Sequence, residues 1–253
     1  MNLLANHAAF VTGSTMGIGC EIANHVAAAG ASVVRHGLDR AGGGDGDFVF
    51  GDLSAPLPDC AVRVADAALQ CNPDIDLLVC NAGTYIDQPF LELDFATFDR
   101  TMRLNVYSQF VLVQHFARRW VTAGVRGRII LIGSINGRLS EPTHVAYDTS
   151  KGAVEALVRS LSVSLAPHGI RVNGIAPGLF RTPLTEPALK DKRSLRWMEL
   201  HTPNGIVPGP DAAAGAAVFL LSDAAQHIHG QMIFVDGGMS IWQQPDVPED
   251  WQP

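Results

Sequence analysis

Tyr147 and Lys151 stand four residues apart in Tyr147-Asp148-Thr149-Ser150-Lys151, a spacing that puts a phenol and an ammonium on one face of a helix. A phenol titrates near pH ~10 and is a poor acid or base at neutrality, but a nearby positive charge favours the phenolate. That is how a tyrosine becomes useful for proton transfer. The pair alone is more often what chance gives on a solvated helix face. The elements that position it must decide. Leu157, Leu161 and Leu165 recur every four residues after Lys151, and Pro167-His168-Gly169 follows. This pattern predicts a helix with Tyr147 and Lys151 on its first turns.

A second feature lies at the N-terminus. Ala8-Ala9-Phe10-Val11 reads as a strand, Thr12-Gly13-Ser14-Thr15-Met16-Gly17-Ile18-Gly19 as a glycine-rich turn, and Cys20 to Ala29 as an amphipathic helix. Glycines in that place let the backbone turn tightly and approach a pyrophosphate at the helix N-terminus. Another apolar strand at Ala31-Ser32-Val33-Val34 completes a βαβ opening.

The glycine spacing, Asn81-Ala82-Gly83 after the apolar run 75–80, Ser134 closing the run 128–133, and the Tyr147/Lys151 pair together resemble the short-chain dehydrogenase/reductase family. Asp52, Asn105 within Leu104-Asn105-Val106, Pro177-Gly178 with Thr182, and Val235-Asp236-Gly237-Gly238 follow in the same order, so the resemblance spans nearly the whole chain. It implies a catalytic set of Asn105, Ser134, Tyr147 and Lys151. Tyr147 would be the acid/base, Lys151 would lower its pKa and hold the nicotinamide ribose, Ser134 would orient the reacting oxygen, and Asn105 would anchor a water. It also implies a cofactor site at Gly13, Ser14, Thr15, Gly17, Ile18, Gly19, Leu38, Asp52, Leu53, Asn81, Ala82, Gly83, Tyr147, Lys151, Pro177, Gly178 and Thr182, and a homotetramer. Taken singly, Ser134, Asn81 and Pro177-Gly178 are also ordinary turn chemistry, and Asn105 is an ordinary polar residue of an exposed helix face.

Strand-like runs near Ala8, Ala31, Phe48, Ile75, Arg128, Arg171 and Gln231 alternate with helical patterns. This predicts an α/β fold, a doubly wound, mostly parallel seven-stranded sheet with helices on both faces. A chain of 253 residues, 47% hydrophobic, can bury one sizeable core, and a single domain over 1–253 is expected. A net charge of -7 without any basic run speaks against nucleic acid. The longest apolar stretch, 212–221, is too short to span a bilayer. Without a basic leader at the N-terminus, a cytoplasmic location is expected. Cys20, Cys60, Cys71 and Cys80 lack metal or redox spacing, and His227-Ile228-His229 lacks companion ligands, so no metal site is expected.

Three segments stand out. Residues 41–47 hold four glycines where the family carries a helix, predicting a short flexible loop. Residues 183–208 read as a substrate lid. With 136–144 they bring Arg138, Glu141, His144, Arg193, Trp197 and His201, which suits a sugar, polyol or hydroxy acid. Residues 241–253, rich in proline, read as an extended arm.

Cofactor choice is read from Arg35-His36-Gly37-Leu38-Asp39. An acid here binds the ribose 2′-hydroxyl of NAD, and an arginine admits the 2′-phosphate of NADP. Leu38 offers a phosphate nothing, Asp39 would repel it, and strand alternation turns Arg35 away. NAD(H) is therefore expected, with Arg40 as counter-evidence. An α/β hydrolase would need Gly-x-Ser-x-Gly, which Gly133-Ser134-Ile135-Asn136-Gly137 does not supply. The alternatives kept are a 3-oxoacyl-type carbonyl reductase using NADP(H) and a non-catalytic nucleotide-binding relative.

Overall fold

Residue alternation along the strands divides the interior into two halves. Successive side chains of a strand point to opposite faces, so in β1 (Ala8–Val11) Ala8 and Phe10 face one way and Ala9 and Val11 the other. The same division runs through β4 (Leu77–Cys80), where Leu78 and Cys80 oppose Leu77 and Val79. Strands buried on both faces are apolar throughout, which is why these segments read as continuous runs. The computed structural model describes residues 2–39 and 47–243.

The remaining strands are β2 (Ser32–Gly37), β3 (Phe48–Phe50), β5 (Arg128–Ile132), β6 (Arg171–Pro177) and β7 (Met232–Val235). They form one seven-stranded sheet in the order β3-β2-β1-β4-β5-β6-β7, and every pairing is parallel. The chain reverses its direction of travel across the sheet between β1 and β4, and open α/β sheets bind ligands outside the carboxyl ends of strands at such a switch.

On one face lie α1 (Gly17–Ala28) and α8 (Ala214–Leu221), with Ile22, Val26 and Leu220 against Ala9, Leu77 and Ile130. On the other lie α2 (Asp59–Cys71), α4 (Ser108–Ala123) and α5 (Val145–Leu165), with Val64, Phe116, Trp120 and Val154 against Phe10 and Leu78. Each fully buried side chain of this size stabilises by about 1.5–3 kcal/mol. Between α2 and α4 come α3 (Phe95–Met102) and a π-turn over Arg103–Tyr107. Helix α5 gives way at Leu165 to a short turn and Gly169, whose φ of 73° is left-handed. Its buried stripe is Val154, Val158 and Ser162, with Leu157, Leu161 and Leu165 only half-buried beside it.

The segment 183–208 carries α6 (Glu186–Leu189) and α7 (Lys192–His201). The glycine-rich stretch lies outside the described residues except for Asp47, whose carbonyl accepts from Arg35. Of the C-terminal segment only 241–243 is described, and Ile241 ends a single turn over Met239–Ile241.

Candidate active site

The glycine turn after β1 is built by long-range hydrogen bonds. Thr12 Oγ1 accepts from the Asn81 and Ala82 amides, each at 3.0 Å. Asn81 Nδ2 donates to the Thr12 and Gly13 carbonyls at 3.0 and 2.9 Å. Asn81 therefore ties the turn to the end of β4. Gly13 has a left-handed φ of 61°, and a Cβ on Gly19 would lie 2.2 Å from Asn81 Nδ2, so neither position accepts a side chain. Helix α1 opens at Met16 with no side-chain cap and no acid in its first turn. Its amides and dipole are thus free to favour an anion such as a pyrophosphate.

His36 is the residue that sequence reasoning missed here. It is 3% exposed, accepts from the Gly13 amide at Nδ1 (3.1 Å) and meets the Gly51 carbonyl through Nε2 (3.0 Å). A carbonyl only accepts, so the proton sits on Nε2 and the imidazole is neutral. Burial agrees with this, lowering its pKa to about 4 against the opposing pull of the Gly51 carbonyl. A histidine inside a strand gave no sequence signal for this contact, because it depends on the β1–β2 register, in which Val11 faces Arg35.

A cavity of about 600 Å³ opens at the carboxyl ends of the strands. Of the residues expected at the site, Gly13, Thr15, Gly17, Ile18, Leu38, Asp52, Leu53, Asn81, Ala82, Gly83, Ser134, Tyr147, Lys151, Pro177, Gly178 and Thr182 line it. Ser14, Gly19 and Asn105 do not. Ser14 Oγ donates to the Val11 carbonyl and accepts from the His36 amide, and Gly19 packs under Asn81. Asn105 is fully buried in the π-turn rather than on an exposed helix face, accepting from Thr84 N (2.8 Å) and donating to the Thr84 carbonyl and Ser150 Oγ (2.9 Å each). Its side-chain amide is spent on joining α5 to the loop after β4. The cavity also takes in His36, Arg100 and Phe180, which were not singled out, and from 183–208 only Pro183, Leu184 and Thr185. None of Arg138, Glu141, His144, Arg193, Trp197 and His201 lines it. Arg138 pairs instead with Glu155 at 2.8 Å and covers the Phe234 ring, and Trp197 stacks on His201.

At the adenosine end expected from the glycine turn, Leu38 is 67% exposed. Arg35 turns away, as alternation requires, and donates to Asn24 Oδ1 at 2.7 Å. Asp52 accepts from the Ser54 hydroxyl (2.7 Å) and amide (2.8 Å). That hydroxyl, helped by Arg100 and Arg103, holds its carboxyl below the usual range.

At the other end Ser134, Tyr147 and Lys151 meet. Ser134 leaves β5 and caps the turn over Ile135–Gly137 through the Asn136 amide, so it makes a strand-end turn and lines the cavity as well. Lys151 is 5% exposed and donates to the Ile132 carbonyl at 3.0 Å, with its ammonium 5.5 Å from the Tyr147 ring centre. Burial lowers the Lys151 pKa to about 8. The Tyr147 pKa departs from the expected direction. Crowding around the half-buried phenol raises it, Asp148 and Glu141 add to the rise, and only the Ser134 hydrogen bond opposes them. In the free protein desolvation outweighs the Ser134 hydrogen bond.

A family model described as Enoyl-(Acyl carrier protein) reductase matches residues 12–240. The chain belongs to the short-chain dehydrogenase/reductase family. It is therefore a nicotinamide-dependent oxidoreductase of alcohols and carbonyls. Among its relatives, "Gluconate 5-dehydrogenase" of Gluconobacter oxydans (strain 621H) is 34% identical, the match covering 94% of this chain and 96% of that protein. A gluconate 5-dehydrogenase from Burkholderia cenocepacia J2315, solved with NADP and tartrate, superposes with a TM-score of 0.87 at 32% identity, covering 94% and 96% of the two chains. A 4-hydroxyisoleucine dehydrogenase complexed with NADH gives a TM-score of 0.88 at 26% identity, covering 94% and 100%.

Proposed function

We propose that this short-chain dehydrogenase/reductase interconverts a secondary alcohol and a ketone on a sugar, polyol or hydroxy acid, with NAD(H) as its cofactor. The observation that carries the reading is the convergence of Ser134, Tyr147 and Lys151 at one end of a cavity whose other end is the glycine turn. The uncapped start of α1 and the close Gly19–Asn81 packing fit a dinucleotide pyrophosphate there.

A bound nicotinamide supplies or accepts the hydride. Ser134 donates a hydrogen bond to the reacting oxygen. In oxidation Tyr147 takes the hydroxyl proton from that oxygen, and in reduction it returns one. Lys151 stabilises the phenolate form and would hold the nicotinamide ribose. Tyr147 would ionise more readily with an oxidised, positively charged cofactor bound, since that charge opposes the desolvation that raises its pKa in the free protein. Asn105 holds α5 against the Thr84 loop, so that Tyr147 keeps its place.

The substrate class rests on relatives acting on gluconate, since the lid contributes mainly apolar wall. NAD(H) rests on exposed Leu38 and on Arg35 being engaged by Asn24. The rival, an acyl-type carbonyl reductase using NADP(H), draws on the family model's description and on NADP in the Burkholderia structure. Initial rates with aldonates, polyols and long-chain alcohols, each with both cofactors, separate the two. A long-chain alcohol with NADP as the best combination would overturn the proposal. A cytoplasmic homotetramer completes the reading, and light scattering of the purified protein tests the assembly.

A further inference from the structure

A second cluster touches Tyr147 from residues outside the proposed catalytic set. The Tyr85 ring packs edge-on against the Tyr147 ring, with centroids 5.4 Å apart and planes at 80°. The Tyr85 hydroxyl meets His144 Nε2 at 2.7 Å, and the same two rings are T-shaped at 4.8 Å. His144 immediately precedes α5 and is 5% exposed. With Tyr85 donating to Nε2, a neutral imidazole carries its proton on Nδ1. Nδ1 lies 3.2 Å from Glu141 Oε1, off the line of a good hydrogen bond, and has no other partner among the described residues. The Glu141 amide in turn donates to Asp148 Oδ2 at 3.0 Å, which fastens this loop to α5.

We propose that Tyr85, His144 and Glu141 form a positioning relay for the Tyr147 phenol. Through its charge the carboxylate favours the imidazole proton on Nδ1, the imidazole anchors the Tyr85 hydroxyl, and the Tyr85 ring fixes the rotation of the Tyr147 ring. The relay deepens the proposed function and rests on Tyr147 being the acid/base. Burial pushes the Tyr85 phenol up to about 12, so it stays a donor over the working range. A buried polar chain costs desolvation that an apolar cluster would avoid, and it yields a fixed ring orientation at the reacting proton. Tyr147 is faced by Lys151 and Asp148 from α5, by Glu141 and His144 from the preceding loop, and by Tyr85 from the segment after β4. Glu141 thus joins geometry to charge, since its carboxylate opposes the phenolate.

The test compares kcat, cofactor affinity and the pH profile of oxidation across four variants. Tyr85→Phe and His144→Ala should lower kcat about ten-fold, a misplacement effect, with cofactor affinity unchanged. His144→Gln, whose amide reaches the Nε2 position, should recover most of kcat. Glu141→Gln should move the acidic limb of the profile to lower pH. Native kcat in Tyr85→Phe, which keeps the ring and the fold, would overturn the relay, as would an unmoved limb in Glu141→Gln or a Gln variant no better than Ala. Tyr147→Phe separates the two levels. Turnover surviving there refutes the acid/base reading, whereas its loss beside a normal Tyr85→Phe refutes the relay alone.

Discussion

The Gly13 amide donates to His36 Nδ1 across 3.1 Å, so a buried neutral imidazole holds the first glycine of the turn that the cofactor is proposed to occupy. His36 sits at about 4 in the fold against 6.5 for a free imidazole, because burial disfavours its charged form. Between those values the unfolded chain binds a proton that the folded chain refuses, so stability rises with pH through this window and is fully present above it. Acidifying across the window costs about 3 kcal/mol, at about 1.4 kcal/mol per unit. His36→Asn keeps an acceptor for Gly13 and removes the titration. Its Tm should therefore fall less steeply than the native Tm as pH drops, and an equally steep fall would show that His36 is not the acid-sensitive group.

Lys151 carries the opposite balance of stability and function. Its ammonium is buried against the Ile132 carbonyl, and its pKa is lowered to about 8 from 10.5. Between those values the unfolded chain holds the proton that the folded chain lacks, so stability rises with pH there, and below 8 a penalty of about 3 kcal/mol stands in full. Lys151→Met should raise the Tm of the free protein at neutral pH while abolishing most turnover, the trade expected at a functional site. Thermal melts and initial rates on one preparation check it. A lowered Tm would mean that the ammonium stabilises the free fold.

Much of this architecture was legible because it is local. Continuous apolar runs gave the strands, and the order of Thr12, Gly13, Gly17 and Gly19 gave the turn. The four-residue step from Tyr147 placed Lys151 beside it. The contacts that escaped depend on register between distant segments. His36 reaches Gly13 only through the β1–β2 pairing, Arg100 reaches the cavity from α3, and Tyr85 meets His144 only once the loop after β4 folds over the start of α5. Polarity misled in residues 183–208, where Arg193, Trp197 and His201 stand away from the cavity, and at Arg138, which is spent on Glu155. The raised pKa of Tyr147 was equally hidden, since desolvation is a property of the folded surroundings.

Gly19→Ala should disable cofactor binding with the proton-transfer residues left in place. The added Cβ would lie 2.2 Å from Asn81 Nδ2 and 2.3 Å from the Gly13 carbonyl, and such overpacking costs about 1–3 kcal/mol. Cofactor titration by fluorescence should show a large loss of affinity. Native affinity would mean that the turn can shift without consequence.

Leu38 decides the cofactor preference in this account. The native enzyme should favour NAD, and Leu38→Arg should shift the ratio of kcat/KM toward NADP ten-fold or more, about 1.4 kcal/mol. A native preference for NADP of that size would place another cation, such as Arg100 or Arg40, on the 2′-phosphate.

Tyr147→Phe tests the central claim most directly, because it deletes one hydroxyl and preserves the ring that packs against Tyr85. Loss of a general acid/base costs about 10² to 10⁴ in rate. The measurement is kcat for the best alcohol together with the dissociation constant of the cofactor. The account predicts kcat reduced by that factor with cofactor affinity within a few-fold of native, and turnover near the native level would contradict it.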